Sequence, residues 1–270
     1  MIKKIIPIFI VLLTCSCASE LPVYLPEDEF AFYLSGECFP DSAEITLRTA
    51  YPLGNGTVVG SPLYIKEPDE ILEFRVGKNE ILPDEVVTSD EIFTFRKYVF
   101  RNLTVDPGQE ISVSVKAQDF RCASAKVYLP QEINCSGIEC RQLPDGTRSI
   151  RIRRNQKETS YYCVLHTLPI MSVTGNTDVI DTNDSFYFSD QSTDGGDLVL
   201  NVSCFQDRPC VDFVLQRLDK ESYDCRRQEA LSSKEGTAEY PALRFTISNI
   251  QGGFGIFSAV QSLPLTFEKP

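Results

Sequence analysis

The sequence contains no tryptophan and a single histidine, His166, among its 270 residues. Every mechanism that needs a histidine base must therefore use His166, and metal sites built from several histidines are excluded. His166 directly follows an apolar run at residues 161–165, so we expect it to be a structural residue on a strand. The sequence also has neither the Gly-x-Ser-x-Gly turn of many hydrolases nor a P-loop.

Positive charge is scarce as well. The chain has a net charge of −12 at pH 7 and an isoelectric point near 4.7. An acidic surface repels the phosphates of nucleic acids and anionic lipids, so neither is an expected partner. No cofactor is expected. The glycines at residues 252–255 do not lie between a strand and a helix, as a dinucleotide loop would, and we expect them to permit a bulge or a close approach of two backbones.

Long apolar runs are missing from the body of the chain. The apolar stretch near the start, residues 5–13, is much shorter than the roughly twenty residues of a membrane-spanning helix. It follows Lys3 and Lys4 and precedes Cys15 and Cys17, each with a small residue before it. This order resembles the signal peptide and lipobox of bacterial lipoproteins, in which a cysteine is lipidated and becomes the new N-terminus. An ordinary secretory signal is the alternative.

Two cysteines compete for the lipid. Ser16 is a better small residue at the cleavage position than Thr14, which favours Cys17, whereas Leu12 favours Cys15. Of the 10 cysteines, cleavage before Cys17 leaves an even number for pairing, and cleavage before Cys15 leaves an odd one. We therefore predict lipidation of Cys17.

The predicted export divides the start of the chain into two segments. Residues 1–16 form the signal peptide, and residues 17–29 form an extended tether rich in proline and acids. The lipid would be the membrane anchor. Glu20 is the only acidic residue just after Cys17, which leaves open whether the protein faces the periplasm or the cell surface.

Disulfides are the default state of the remaining cysteines, because the compartment beyond the inner membrane is oxidising. Zinc is disfavoured, since the cysteines lack C-x-x-C spacing and histidine support. Closeness in sequence suggests two pairs, expected strand positions suggest a third, and elimination leaves the fourth. The candidate pairs are Cys135 with Cys140, Cys204 with Cys210, Cys38 with Cys122, and Cys163 with Cys225.

The body of the chain has the pattern of an all-β protein. Apolar and polar residues alternate with a period of two, which predicts strands. These segments are residues 43–49, 71–76, 111–115, 150–153, 198–202 and 213–215. Turn-forming sequences such as Asp106-Pro107-Gly108 separate them. One helix is predicted near residues 219–232, with Asp219 as its capping acid.

A domain boundary is predicted near residue 130, where prolines and two cysteines interrupt the strand pattern. Residues 30–130 have the size of an immunoglobulin-like β-sandwich. Residues 131–270 are expected to form a second β-sandwich, or alternatively a partly closed barrel, that carries the helix.

Two weaker site candidates lie in the second half. Asp190, Ser192 and Asp194 occupy ligand positions of an EF-hand-like loop, but Asn201 replaces its final glutamate. A polar hairpin is therefore favoured over a calcium site, and no metal is expected. Paired carboxylates leave a hydrolase as a minor alternative, because their separation depends on the tertiary structure. The acids in question are Asp181, Asp184, Asp190 and Asp197.

Several short motifs in a fixed order resemble one family. They include Phe39-Pro40-Asp41-Ser42, residues 105–109, Phe186-Tyr187-Phe188-Ser189-Asp190, residues 218–223 and residues 248–257. This set, which spans nearly the whole mature chain, resembles the Bacteroidota outer-membrane lipoproteins grouped as domain-of-unknown-function family 4249. The extra cysteines depart from the simplest members.

The resemblance implies an outer-membrane lipoprotein associated with TonB-dependent transporters and supplies no catalytic residues. We therefore expect a non-enzymatic binding or accessory lipoprotein that assists such a transporter in nutrient uptake. A structural or adhesive surface lipoprotein is the alternative.

Overall fold

The computed structural model describes residues 31–53, 56–59, 70–89, 95–118, 120–154, 159–167, 170–182, 184–192, 196–204, 212–234 and 247–268. In the first half the strands are β1 Ala31–Cys38, β2 Ala43–Leu53, β3 Gly56–Val59, β4 Ile71–Val76, β5 Asn79–Ile81, β6 Glu85–Ser89, β7 Phe95–Phe100, β8 Glu110–Lys116 and β9 Ala123–Tyr128. The second half contains β10 Ile138–Gln142, β11 Arg148–Ile152, β12 Tyr161–His166, β13 Ile170–Gly175, β14 Ile180–Asp181, β15 Ser185–Ser189, β16 Leu198–Cys204, β17 Phe213–Leu218, helix α1 Lys220–Lys234 and β18 Phe257–Leu265.

For the residues that the structure describes, the prediction of an all-β fold with one helix is confirmed. Each predicted strand overlaps an observed one, and the alternation of buried and exposed residues in β8 and β9 shows why period-two patterns identified them. The predicted helix begins one residue after Asp219. The Asp219 carboxylate accepts the backbone N–H of Ser222 at 3.0 Å, which satisfies a donor that the first helical turn leaves open.

Three sheets make up this β structure. The longest has ten strands in the order β14-β15-β12-β17-β18-β1-β2-β7-β6, with β3 paired to β2. The other two, β5-β4-β8-β9 and β10-β11-β16-β13, have four strands each. Each small sheet packs on one half of the long sheet, so the fold is two sandwiches that share a continuous layer. Of the two alternatives for the second half, the described residues form the sandwich. An immunoglobulin-like strand order in the first half is not confirmed.

The core of the first sandwich contains residues from both ends of the chain. Phe74 and Phe100 lie at its centre, with ring centroids 4.4 Å apart. Phe257 and Ile250, which follow α1 in sequence, are buried in the same core. Leu34 N–H donates to the Phe254 carbonyl at 2.8 Å, and β18 then runs parallel to β1. The boundary near residue 130 stays a prediction, but the first core includes residues that lie far beyond it.

Glycines make this return of the chain possible. Gly252 has φ +74°, and a Cβ on it would lie 2.1 Å from the Cys122 carbonyl oxygen. Gly255 has φ +109°, and its Cβ would lie 2.0 Å from the Leu34 carbonyl oxygen. Any larger residue would collide with backbone at both places. The predicted close approach of two backbones is therefore confirmed.

The second sandwich has a helix on its outer face. Phe186, Phe188 and Leu215 of the long sheet pack against the small sheet on one side. On the other side, Tyr223 and Ala230 of α1 pack on the long sheet. The region is thus three layers deep: helix, long sheet and small sheet. No helix within the described ranges is long and apolar enough to cross a membrane.

Candidate functional site

β12 begins with two tyrosines that face opposite sides of the long sheet, because side chains alternate along a strand. Tyr161 faces α1, and its ring centroid lies 5.1 Å from that of Tyr223. Tyr162 faces the second core, with its ring 5.3 Å from that of Phe188. A pocket lies beside each tyrosine, so the start of β12 contributes to two cavities.

The helix pocket, on the α1 side, has a volume of about 450 Å³. Its lining includes Tyr161, Asp178, Lys220, Tyr223, Asp224 and Arg227. The charges of the two acids and the two bases in this lining cancel. Lys220 forms an ion pair with Asp224 one turn along the helix. Burial raises the pKa of Tyr223, so its hydroxyl is neutral at physiological pH. This pocket therefore offers aromatic rings and no net charge.

The linker pocket lies on the other side, where the chain crosses from the first half to the second at residues 132–138. Its volume is about 380 Å³. The polar and charged side chains that line it include Asn134, Arg153, Arg154, Ser160, Tyr162 and Arg217. Among the described lining residues, Glu132 is the one acid against three arginines.

Buried polar side chains of the long sheet hold the linker at the edge of this pocket. Arg217 lies opposite Tyr162 in the β12–β17 register and is 8% exposed. Its Nη1 donates to the Gln131 carbonyl at 3.3 Å. Gln261, the neighbour of Arg217 on β18, donates to the Pro130 carbonyl at 3.4 Å. These contacts satisfy buried polar groups and fix the position of Arg217.

Ser160, at the start of β12, is almost completely buried and is held by Asp190. Ser160 N–H donates to the Asp190 carboxylate at 2.8 Å, and Asp190 N–H donates to the Ser160 carbonyl at 3.2 Å. These two hydrogen bonds fix the backbone of Ser160, which lines the linker pocket together with Tyr162.

The calcium candidates do not meet as a site in the described part of the chain. Asp190 is 1% exposed, and its carboxylate holds the start of β12. Ser192 ends the short 3-10 turn Asp190–Ser192, and Asp194 lies outside the described residues. No group of three or more His, Cys, Asp or Glu side chains that could hold a metal ion occurs in that part of the chain.

The other acids of the hydrolase alternative also contact the chain itself. The Asp197 carboxylate accepts the Arg151 Nε at 3.0 Å. Asp184 accepts the Ser185 hydroxyl at 3.1 Å. Asp181 pairs with Phe186 at the edge of the long sheet. These side chains occupy turns and strand edges rather than a shared cavity.

His166 lies at the end of β12 and is 4% exposed. Its ring lies between Phe186 and Phe213, with centroids 6.1 and 6.2 Å away. The expectation that His166 lies on a strand is confirmed, and its structural role stays a prediction.

The candidate disulfide cysteines are spread over the fold. Cys38 and Cys163 are buried, Cys122 and Cys135 are exposed, and Cys140 and Cys225 are half-buried. No disulfide joins these six residues in the structure, in which no two are at bonding distance. Burial raises the pKa of both Cys38 and Cys163 to about 12. Cys17 and Cys210, the partner predicted for Cys204, lie outside the described residues, and the pairings stay predictions.

The arginines of the linker pocket were not singled out from the sequence. One signal was present: Arg151, Arg153 and Arg154 fall within four residues of an otherwise acidic chain. Nothing in the sequence pattern singles out Arg217, because a lone arginine in a strand is most often solvated. Only the pairing of β12 with β17 brings Arg217 beside residues 153 and 154.

Comparison with known proteins identifies no family for this chain. No family model matches the chain. No curated protein matches it either. Among solved structures, a chain described as "Cytokine receptor complex - Crystal form 2" is similar over 71% of this chain and 92% of that one, with 13% identity and a TM-score of 0.28. A likeness at that level carries no argument about fold or function.

Proposed function

We propose that this protein is a non-enzymatic binding lipoprotein, anchored in the outer membrane through Cys17, that serves as an accessory to a TonB-dependent transporter. The observation that carries the binding role is the pair of pockets on the two faces of the long sheet at the start of β12. Both have the size of small-molecule sites, which are typically about 300–1,000 Å³. Buried contacts of Arg217 and Asp190 hold the residues around them in place.

The membrane role rests on the N-terminal sequence and on the resemblance to family 4249. The tether predicted at residues 17–29 would reach roughly 40 Å if fully extended. Such a tether would let the folded body contact a transporter in the same membrane while the lipid keeps the two together. Anchoring also raises the effective concentration of the two partners, so a weak contact suffices.

One set of strains tests both parts of the proposal. The protein carries a C-terminal affinity tag and is expressed in its native cell as the wild type, Cys17→Ala or Cys15→Ala. Labelled palmitate reports lipidation, and the outer membrane is then purified and the tagged protein captured with its partners for mass spectrometry. We expect wild type and Cys15→Ala to carry label and to capture a TonB-dependent transporter in stoichiometric amount.

Cys17→Ala should lose both the label and the transporter. Label that persists in Cys17→Ala and disappears in Cys15→Ala would move the anchor to Cys15. Correct anchoring with no transporter recovered would contradict the accessory role. That result would favour the adhesive alternative, which predicts affinity for host or matrix proteins.

A further inference from the structure

We propose that the outer edge of β6 is a docking surface for a second copy of this chain, which pairs there antiparallel and joins the two long sheets into one. In the part of the chain that the structure describes, β6, Glu85–Ser89, is the last strand of the long sheet. The backbone N–H and C=O groups on its outer side therefore form an edge that can pair with another strand. This edge is separate from both pockets, and its pairing does not depend on the accessory role.

The other edge strands of the described chain have features that hinder pairing. β3, β5 and β14 have four residues or fewer. β13 has a bulge between Ile170 and Ser172, which interrupts a regular hydrogen-bond ladder. The backbone of Ser124 on β9 exchanges two hydrogen bonds with Gln251, and the backbone of Glu268 forms two with β10. Short length, a bulge or returning chain thus protects each of these edges.

β6 lacks these features within the described ranges. Its register with β7 runs without a break from Glu85 to Ser89, and it contains neither proline nor lysine, which commonly block an exposed edge. Val86 and Val87 are 48% and 40% exposed, although β-branched residues favour strands that pack against neighbours. β6 is therefore a regular and partly apolar edge that a further strand would cover.

The charges beside this edge allow two acidic chains to approach. A net charge of −12 disfavours association of two copies in general. The charged side chains of β6 and β7, however, form ion pairs within the chain. These pairs are Glu85 with Arg101, Arg96 with Glu70 and Lys97 with Glu44. The strands at the proposed contact therefore bring little net charge to it.

The sequence of β6 favours antiparallel pairing centred on Val87. This register pairs all five residues of the strand, with Val87 opposite its own copy and Val86 opposite Thr88. Glu85 then pairs with Ser89, which is uncharged. Parallel pairing would instead place Glu85 opposite its own copy, and like charges directly opposite destabilise a sheet. A twofold axis through Val87 generates the antiparallel arrangement, and twofold symmetry is the commonest in homo-oligomers.

Disulfide trapping of the tagged protein in its native cell tests this register. Val87→Cys places the two new thiols at the axis, within the roughly 7 Å between Cα atoms that a disulfide can span. Glu85→Cys leaves them roughly 14 Å apart, because a strand rises about 3.4 Å per residue. Met171→Cys controls for random collision, since Met171 is 60% exposed on β13. Mild oxidation, non-reducing gels and mass spectrometry identify the products beside the wild type.

We expect Val87→Cys to give a crosslinked dimer of this chain. Its yield should exceed that of Glu85→Cys, Met171→Cys and the wild type by about tenfold or more, because docking raises the effective concentration of the two thiols. Equal yields from Val87→Cys and Met171→Cys would overturn the proposal. A Val87→Cys crosslink to a different protein would assign the edge to another partner and rule out the second copy.

Sedimentation of the complete lipidated protein in detergent measures the association itself. The contact is small, so we expect a weak, concentration-dependent dimer. Val87→Lys places two like charges at the axis and should weaken the dimer by about tenfold, whereas Met171→Lys should leave it unchanged. Circular dichroism verifies that both variants fold, as expected at exposed positions. A chain that stays monomeric at every concentration, or a dimer that Val87→Lys does not weaken, would refute pairing through β6.

Discussion

The two sandwiches differ in how widely their core residues are separated in sequence. The buried residues of the second core lie between residues 150 and 215, with Leu265 added at the end. The first core needs Ile250, Phe257 and Ala259, which follow its own strands by more than a hundred residues. The first core is therefore built from segments that lie farther apart in sequence than those of the second core. The comparison shows that alternation along a strand predicts which face is buried but not which core it joins.

β18 is the element that causes this difference. It pairs antiparallel with β17 of the second half and parallel with β1 of the first, where Gly36 lies opposite Phe257. The long sheet is thus continuous across both sandwiches. Because one strand belongs to both hydrogen-bond ladders, we expect the two halves to lose structure together.

The largest expected effect comes from Phe257→Ala. Phe257 is fully buried in the first core, so its truncation should lower the free energy of unfolding by about 3–5 kcal/mol. Hydrogen exchange followed by mass spectrometry identifies the strands that lose protection. Faster exchange should appear in β1 and also in β17, since both strands pair with β18.

Phe74→Ala is the matched control for this experiment. Phe74 is equally buried in the same core, but it lies on β4 and pairs only within the small sheet. Phe74→Ala should lower the free energy of unfolding by a similar amount. Faster hydrogen exchange should then stay in the first half. Exchange confined to the first half in Phe257→Ala as well would show that the two sandwiches are independent.

A smaller effect is expected from Arg226→Met, which removes a link between α1 and the first half. Arg226 donates to Glu37 on β1 at 2.6 Å and to the Ser258 hydroxyl on β18 at 3.1 Å. Glu37 is partly exposed, so the loss should be only about 1–2 kcal/mol in urea unfolding. Lys220→Met on the same helix breaks an exposed pair with Asp224 and should change stability by less than about 0.5 kcal/mol. Equal effects of the two variants would refute a linking role for Arg226.

The smallest effect is expected from alkylation of the buried thiols, one of which lies in each half of the molecule. In reduced protein at pH 8, alkylation should reach exposed Cys122 and Cys135 well before buried Cys38 and Cys163. A thiol with a pKa of about 12 is ionised in only roughly one molecule in ten thousand at that pH. Peptide mass spectrometry of the alkylated chain measures the order. Rapid labelling of Cys163 would show that α1 leaves the sheet, and mapping of unreduced protein tests the predicted disulfides.

Local elements were predictable because neighbouring residues determine them. Asp219 before a stretch of helix formers predicts α1, and alternation predicts β4 with the bounds Ile71–Val76. Gly252 and Gly255 predicted a close approach of two backbones, but the sequence did not indicate which segments approach each other. Cysteine pairing by elimination was weaker, because the spacing of two residues in sequence does not give their distance in space.

The sequence by itself determined six of the strands, the helix α1 and its cap, the turns between strands, and the expectation of export and lipidation at Cys17. Each of these depends on side-chain chemistry within a few residues of chain. Only the tertiary structure decided that β18 returns to β1, and that Arg217 lies beside Arg153 and Ser160 across two strand pairings. Such contacts depend on which strands associate, and that choice follows from burial of the whole apolar surface at once rather than from any local pattern.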